Sequence, residues 1–236
     1  MNIIFFFTFL ASFIIFLFSL YTLSRDDFVF IRKNVSVEEM FNTGFLLVPF
    51  MLLVSRIFYV VFHFNQRFLH VLVFLALPYF PGLSLLGAVL GGMLGIICIC
   101  LIKKVSVIGR VSDIISLSLF AGVTCGIAPV MLIFYLTNRF YFLIELLFVI
   151  LSIASFALLV KYFLKEKFKD GSVSLLFLVI FSLLSILSQG FRGIVAFSLF
   201  VKGEGAVYIL IFFVCLILFI RREKVRFKFN FLPKKK

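Results

Sequence analysis

Four polar residues sit inside or at the ends of long uncharged stretches: Arg56, Glu145, Gln189 and Arg192. A charge at the centre of a bilayer costs about 2.5–3.5 kcal/mol on insertion scales. Such groups are therefore kept where they are paired or face a wet cavity. The planar fork of arginine donates two parallel hydrogen bonds to a phosphate. Arg56 and Arg192 are accordingly candidates for holding an anionic lipid head group, with Glu145 and Gln189 completing a polar hollow that opens sideways to lipid. The plainer alternative makes Arg56–Glu145 a buried structural pair and lets Arg192 snorkel to the interface.

The remaining candidates are weaker. His63 and His70 fall between apolar runs, and either has a ring that exchanges protons near neutral pH; both also suit a plain interfacial position. Asp113 opens an apolar run, where a carboxylate is favoured by the helix dipole, so capping of that helix explains it. Cys98, Cys100, Cys125 and Cys215 all lie in apolar segments. Cys98 and Cys100 are two residues apart and point away from each other on a helix, so neither a metal site nor a disulfide framework is expected. No cofactor is implied, and no catalytic residue is assigned. Gly87, Gly91 and Gly95 recur every four residues and make one helix face flat enough for close approach of another helix.

The elements that hold these residues follow from composition. The chain has 236 residues, 64% hydrophobic and 14% charged, against about 45–50% and about 25% in soluble domains. A water-soluble protein is excluded. The net charge of +13 would point to nucleic acid in a soluble chain. Here the basic residues flank apolar runs without a basic stripe interleaved with exposed aromatics, so nucleic-acid binding is not expected.

An all-α, polytopic membrane protein of one transmembrane domain is the reading. Seven spans are expected near 3–23, 44–62, 83–102, 114–136, 140–160, 173–191 and 205–220, each long enough or nearly so to cross about 30 Å of hydrocarbon. The run Ile3 to Leu23 has no positive leader and is read as a retained first span rather than a signal peptide. Leu69 to Phe80 is too short to cross and ends in Pro78 and Pro81, which suits a re-entrant or interfacial segment. Eighteen of the 23 Lys and Arg residues fall in alternate loops after span one and in the basic tail 221–236, and four on the opposite side. The positive-inside rule then puts the N-terminus outside and the C-terminus in the cytoplasm. Arg56, Glu145, Gln189 and Arg192 come to a common depth near the outer leaflet. The halves show no inverted repeat with paired broken helices, the mark of a small transporter.

Several segments, in this order, resemble the prolipoprotein diacylglyceryl transferase family, over about residues 35 to 223. Val37-Glu38-Glu39, followed by Ser55-Arg56-Ile57-Phe58-Tyr59, is similar to the family's Gly-Ala-Arg-x-x-Tyr helix. Pro81-Gly82-Leu83-Ser84-Leu85-Leu86-Gly87, with Gly91-Gly92, resembles its Gly-Leu-Ser-x-His-Gly-Gly stretch. Arg110-Val111-Ser112-Asp113, Tyr141 to Glu145, Lys169-Asp170-Gly171-Ser172 and Arg192 are similar to further family segments.

The resemblance implies seven spans in the bacterial inner membrane and phosphatidylglycerol as lipid substrate. It further implies that diacylglyceryl passes to the lipobox cysteine in the signal peptide of a lipoprotein precursor. Positions with chemical roles in the family are replaced. The histidine position is Leu86, the Gly-Arg-Ile-Gly-Asn-Phe signature is reduced to Gly126-Ile127-Ala128-Pro129-Val130, and a Tyr, Arg, Glu series in span six reads Phe181, Ser185, Gln189. Losing one preorganised donor typically costs about 10²–10³ in rate. The expectation is a protein that binds anionic phospholipid and transfers it only if the lost groups are replaced elsewhere. The alternative is a silent homologue that binds lipid or a protein partner.

Overall fold

Hydrocarbon offers no water to backbone N–H and C=O groups, so an apolar run that crosses it must close its hydrogen bonds within itself. The chain does this with helices. The computed structural model describes residues 2–25, 27–33, 35–64, 82–102, 107–137, 139–192 and 203–223. They form α1 (Asn2–Arg25), α2 (Phe28–Arg32), α3 (Val37–Phe62), α4 (Leu85–Ile102), α5 (Ile108–Thr137), α6 (Arg139–Leu164), α7 (Ser172–Arg192) and α8 (Glu204–Glu223). All but α2 and α7 contain a stretch long and apolar enough to cross a membrane, and α7 carries the shorter apolar stretch Ser172–Ser188. The protein is an all-helical polytopic membrane protein. The Leu69 to Phe80 segment lies outside the described residues.

Helix ends run past the hydrocarbon where polar residues cap them. α3 starts at Val37, well before the apolar run at 44. Ser36 and Glu39 form a reciprocal capping box there, with Ser36 Oγ accepting from Glu39 N at 3.1 Å and Glu39 Oε2 accepting from Ser36 N at 3.2 Å. Such a box satisfies two N–H groups that a helix start leaves open.

Asp113 departs from expectation. It lies in the second turn of α5, and its carboxylate reaches across to start another helix, accepting from Gly171 N at 2.6 Å and Ser174 N at 2.7 Å. It therefore caps α7 rather than α5. Gly171 has φ +85, a conformation glycine takes without strain, and a Cβ there would lie 2.8 Å from Nη2 of Arg222 in α8.

α5 is the central helix. It packs on α1, α4, α6 and α7, while α3 packs on α1 and α4, and α8 on α7. Ile114, Ile115 and Leu117 are fully buried within it. Its buried hydroxyls turn inward to their own backbone: Ser116 Oγ donates to Ser112 O at 2.6 Å, and Ser118 Oγ to Ile114 O at 2.9 Å. This back-bonding keeps polar groups satisfied in a dry interior.

The glycine face of α4 meets α3. A Cβ added at Gly87 would lie 2.7 Å from Ser55 Cα and 2.8 Å from Val54 O; at Gly91 it would lie 2.8 Å from Val54 Cβ, and at Gly95 2.8 Å from Leu47 Cδ2. Backbone atoms cannot swing aside as a flexible side chain can. Gly87→Ala is therefore expected to cost about 1–3 kcal/mol through overpacking. The check is a denaturation midpoint in detergent, and a change within about 0.5 kcal/mol would show that α3 and α4 separate freely.

Candidate lipid site

The ends of α3 and α4 opposite the α2 side of the bundle are joined by hydrogen bonds that no repeating ladder supplies. Ser55 Oγ donates to Ser84 O at 2.7 Å, and Ser84 N donates back to Ser55 O at 3.2 Å. Ser84 Oγ accepts from Gly87 N at 3.3 Å, starting α4. Arg56, only 2% exposed, donates from Nη1 to Gly82 O at 2.8 Å, and its guanidinium lies 5.8 Å from the Tyr59 ring centroid. The Tyr59 ring fits against Gly82, where any Cβ would collide with it. Arg56 thus fixes the approach to α4 with a charge-assisted bond to a carbonyl.

Next to this joint, α1, α3, α4 and α5 enclose a cavity of about 390 Å³, within the roughly 300–1,000 Å³ range of small-molecule sites. Its wall is built of Phe9, Phe13 and Phe16 from α1, Met51 and Leu52 from α3, Leu85 and Ala88 from α4, and Leu119, Val123 and Ile127 from α5, among others. Gly122 and Gly126 also line it, where α1 comes close: a Cβ would lie 3.1 Å from Ser12 O at Gly122 and 3.0 Å from Ser12 Oγ at Gly126. Its polar wall residues are Ser12, Ser55 and Ser84, and none of the described wall residues is titratable. Ser12 Oγ already donates to Thr8 O at 2.9 Å. This largely apolar wall can seat a hydrocarbon chain.

Of the candidate lipid-site residues and the two histidines, Arg56 and His63 have described side chains. Arg56 lies beside the cavity, one helix position from Ser55 in its wall, rather than in the wall itself. Glu145 is on α6, and Gln189 and Arg192 are on α7; their side chains lie outside the described residues, as does His70. His63 is the exposed C-terminal cap of α3, stacked on Tyr59 at 4.7 Å between centroids. Leu86 is fully buried in the core. Ser185 is buried and hydrogen-bonded to Tyr208 of α8, so that position serves contact between helices. The contribution of α1 is the part that sequence reasoning missed; Ser12 is one of several hydroxyls in that uncharged run, with Thr8, Ser19, Tyr21 and Thr22, and nothing in the sequence sets it apart.

A family model described as prolipoprotein diacylglyceryl transferase matches residues 4–128, just over half of the chain. The chain belongs to the prolipoprotein diacylglyceryl transferase family. The match starts earlier than the likeness read from residue 35, taking in α1, and ends before the Tyr141 to Glu145 and Lys169 to Arg192 segments. Every residue in the cavity wall falls within it. No curated protein matches the chain. As a family member with helices of this length and composition, it is a multi-pass membrane protein of the transferase class that serves lipoprotein biosynthesis.

Proposed function

We propose that this chain holds the diacylglyceryl part of phosphatidylglycerol in the cavity between α1, α3, α4 and α5, and does so without passing it to a lipoprotein cysteine. The reading sets the protein in the bacterial inner membrane with its N-terminus outside, so that the cavity faces the outer leaflet.

The observation that carries it is the wall: mostly apolar side chains, three serines and no titratable side chain among its described residues. Transfer to a thiol needs a group that accepts the thiol proton and cations for the departing glycerol phosphate. The family's histidine position is Leu86, buried away from the wall, and its signature arginine position is the apolar wall residue Ile127.

Selection of the lipid cannot come from the tails, because lipid tails are as apolar as leucine and gain little by exchanging one such surround for another. It falls to the head group. Arg56 supplies a fixed positive charge beside the Ser55–Ser84 rim, and in a low-dielectric setting such a charge acts over several ångströms. Arg192, at the end of α7, is assigned to the same depth.

The test is purification from membranes containing phosphatidylglycerol, followed by incubation with that lipid and a lipobox peptide. Bound diacyl lipid is expected, with Arg56→Ala reducing the anionic share and no thioether-linked peptide appearing by mass. Accumulating lipidated peptide would replace this reading with that of an active transferase. Absence of bound lipid from a folded sample would remove the cavity assignment altogether.

A further inference from the structure

A second lipid contact is built at the other end of the bundle, independent of the cavity. Between α1 and α3 the chain makes one extra turn of helix, α2, just past the end of the first span at Arg25. Its orientation is fixed at two points. Asp27 caps it, Oδ1 accepting from Val29 N at 3.0 Å and Phe30 N at 3.2 Å, while Oδ2 accepts from Arg110 Nε of α5 at 2.8 Å. Phe30 is buried in the core beneath it.

With those two residues pinned inward, Phe28 and Ile31 are turned out, 79% and 63% exposed. They are three residues apart and share a helix face. Arg32 and Lys33 follow immediately, both exposed. Large apolar side chains held outward beside cations, at the level where a span ends, match the pattern of an interfacial helix: apolar face in the head-group and acyl boundary, basic residues among anionic phosphates. Basic residues near an anionic leaflet each add about 1 kcal/mol of attraction, roughly fivefold in local lipid enrichment. Lys and Arg outnumber Asp and Glu across the loops of this side taken together, while the α2 loop sets Asp26, Asp27, Glu38 and Glu39 against Arg25, Arg32 and Lys33, so the attraction is local to Arg32 and Lys33.

We infer that α2 is an interfacial anchor that inserts Phe28 and Ile31 into the leaflet and gathers anionic phospholipid around Arg32 and Lys33. The occupant is the lipid surface itself rather than a protein.

The chain contains no tryptophan, so Phe28→Trp places a single reporter on the exposed face. The full-length variant is set in nanodiscs of mixed phosphatidylcholine and phosphatidylglycerol, one or the other brominated in its upper acyl carbons. Blue-shifted emission is expected, quenched more strongly when the anionic lipid carries the bromine. Ile31→Trp should behave alike. Adding Arg32→Gln and Lys33→Gln should lower the anionic preference about fivefold for each charge removed, leaving the two lipids close to parity. Emission as in water and unquenched by either lipid would overturn the proposal, and a protein covering the helix in cells would be the replacement. Equal quenching by both lipids, unchanged in the double charge variant, would overturn its head-group part.

Discussion

Arg110→Met is expected to destabilise the protein by about 3–5 kcal/mol. Arg110 sits where three segments meet. Its Nε donates to Asp27 at 2.8 Å, its Nη1 is 3.6 Å from Asp170, and its Nη2 is 3.7 Å from Glu166. Its guanidinium also lies 4.1 Å from the Phe163 ring centroid. Asp27 is buried with Arg110 as its ion-pair partner among the described residues, whereas Asp170 and Glu166 are exposed and can turn to water. Removing the cation therefore leaves Asp27 as an uncompensated buried charge, and breaking a buried pair from one side typically costs about 3–5 kcal/mol. The two exposed pairs contribute little, since such pairs are worth about 0–1 kcal/mol.

The asymmetry gives the check. Asp27→Asn keeps a residue type that caps helices well and leaves Arg110 beside two carboxylates, so it should cost distinctly less. In the double variant no buried charge is stranded, and much of the stability should return. Denaturation in detergent reads all three. Equal losses from both single changes, with simple addition in the double, would show that α2 and α5 are not coupled through this pair.

The same network shows what sequence could and could not convey. The spans were legible because an uncharged run in hydrocarbon has one way to satisfy its backbone, and the run lengths nearly set the helix lengths. The start of α3 was set too late, at the apolar run near 44, because apolarity alone was read; the signal for Val37 was the capping-box pair Ser36 and Glu39. The glycine spacing in α4 announced a close helix contact but not its partner, since a flat face fits any helix.

Charged residues were harder. Matching Arg56 by charge and depth leads to Glu145, whose side chain lies outside the described residues; the hydrogen bond from Arg56 to the Gly82 carbonyl could not be read in advance, because backbone carbonyls are equivalent in sequence. Asp27 and Arg110 are 83 residues apart, and only the packing of α1 on α5 joins them. Asp113 carries the capping chemistry expected of it, but on a helix that begins at Ser172. The cavity was the least legible feature of all. A phenylalanine facing a bound acyl chain and one facing bulk lipid have the same residue type and the same spacing.

That indistinguishability makes the cavity testable by volume rather than by charge, and Ala88→Phe should empty it. Ala88 lies in the wall on α4, one turn beyond Ser84, so a phenyl ring there projects into the 390 Å³ space. An acyl chain would have to share that space with the ring or leave. Overpacking of this kind costs about 1–3 kcal/mol. Charged to the bound lipid rather than to the fold, that is a loss of about 5–150-fold in occupancy. The fold should tolerate the change, because an empty cavity accepts the ring and the hydrophobic contact it makes is favourable.

Ala88→Phe and Arg56→Ala then separate the two parts of the site. The first should lower the amount of co-purifying diacyl lipid while leaving its composition unchanged. The second should shift the composition away from anionic lipid, since it removes the positive charge beside the rim but no wall atom; it also releases Gly82 O, so its stability must be measured alongside. Lipid extraction and mass analysis of matched, folded samples read both quantities. If Ala88→Phe leaves the bound lipid undiminished, the lipid sits elsewhere on the protein, and the space between α1, α3, α4 and α5 is a packing void.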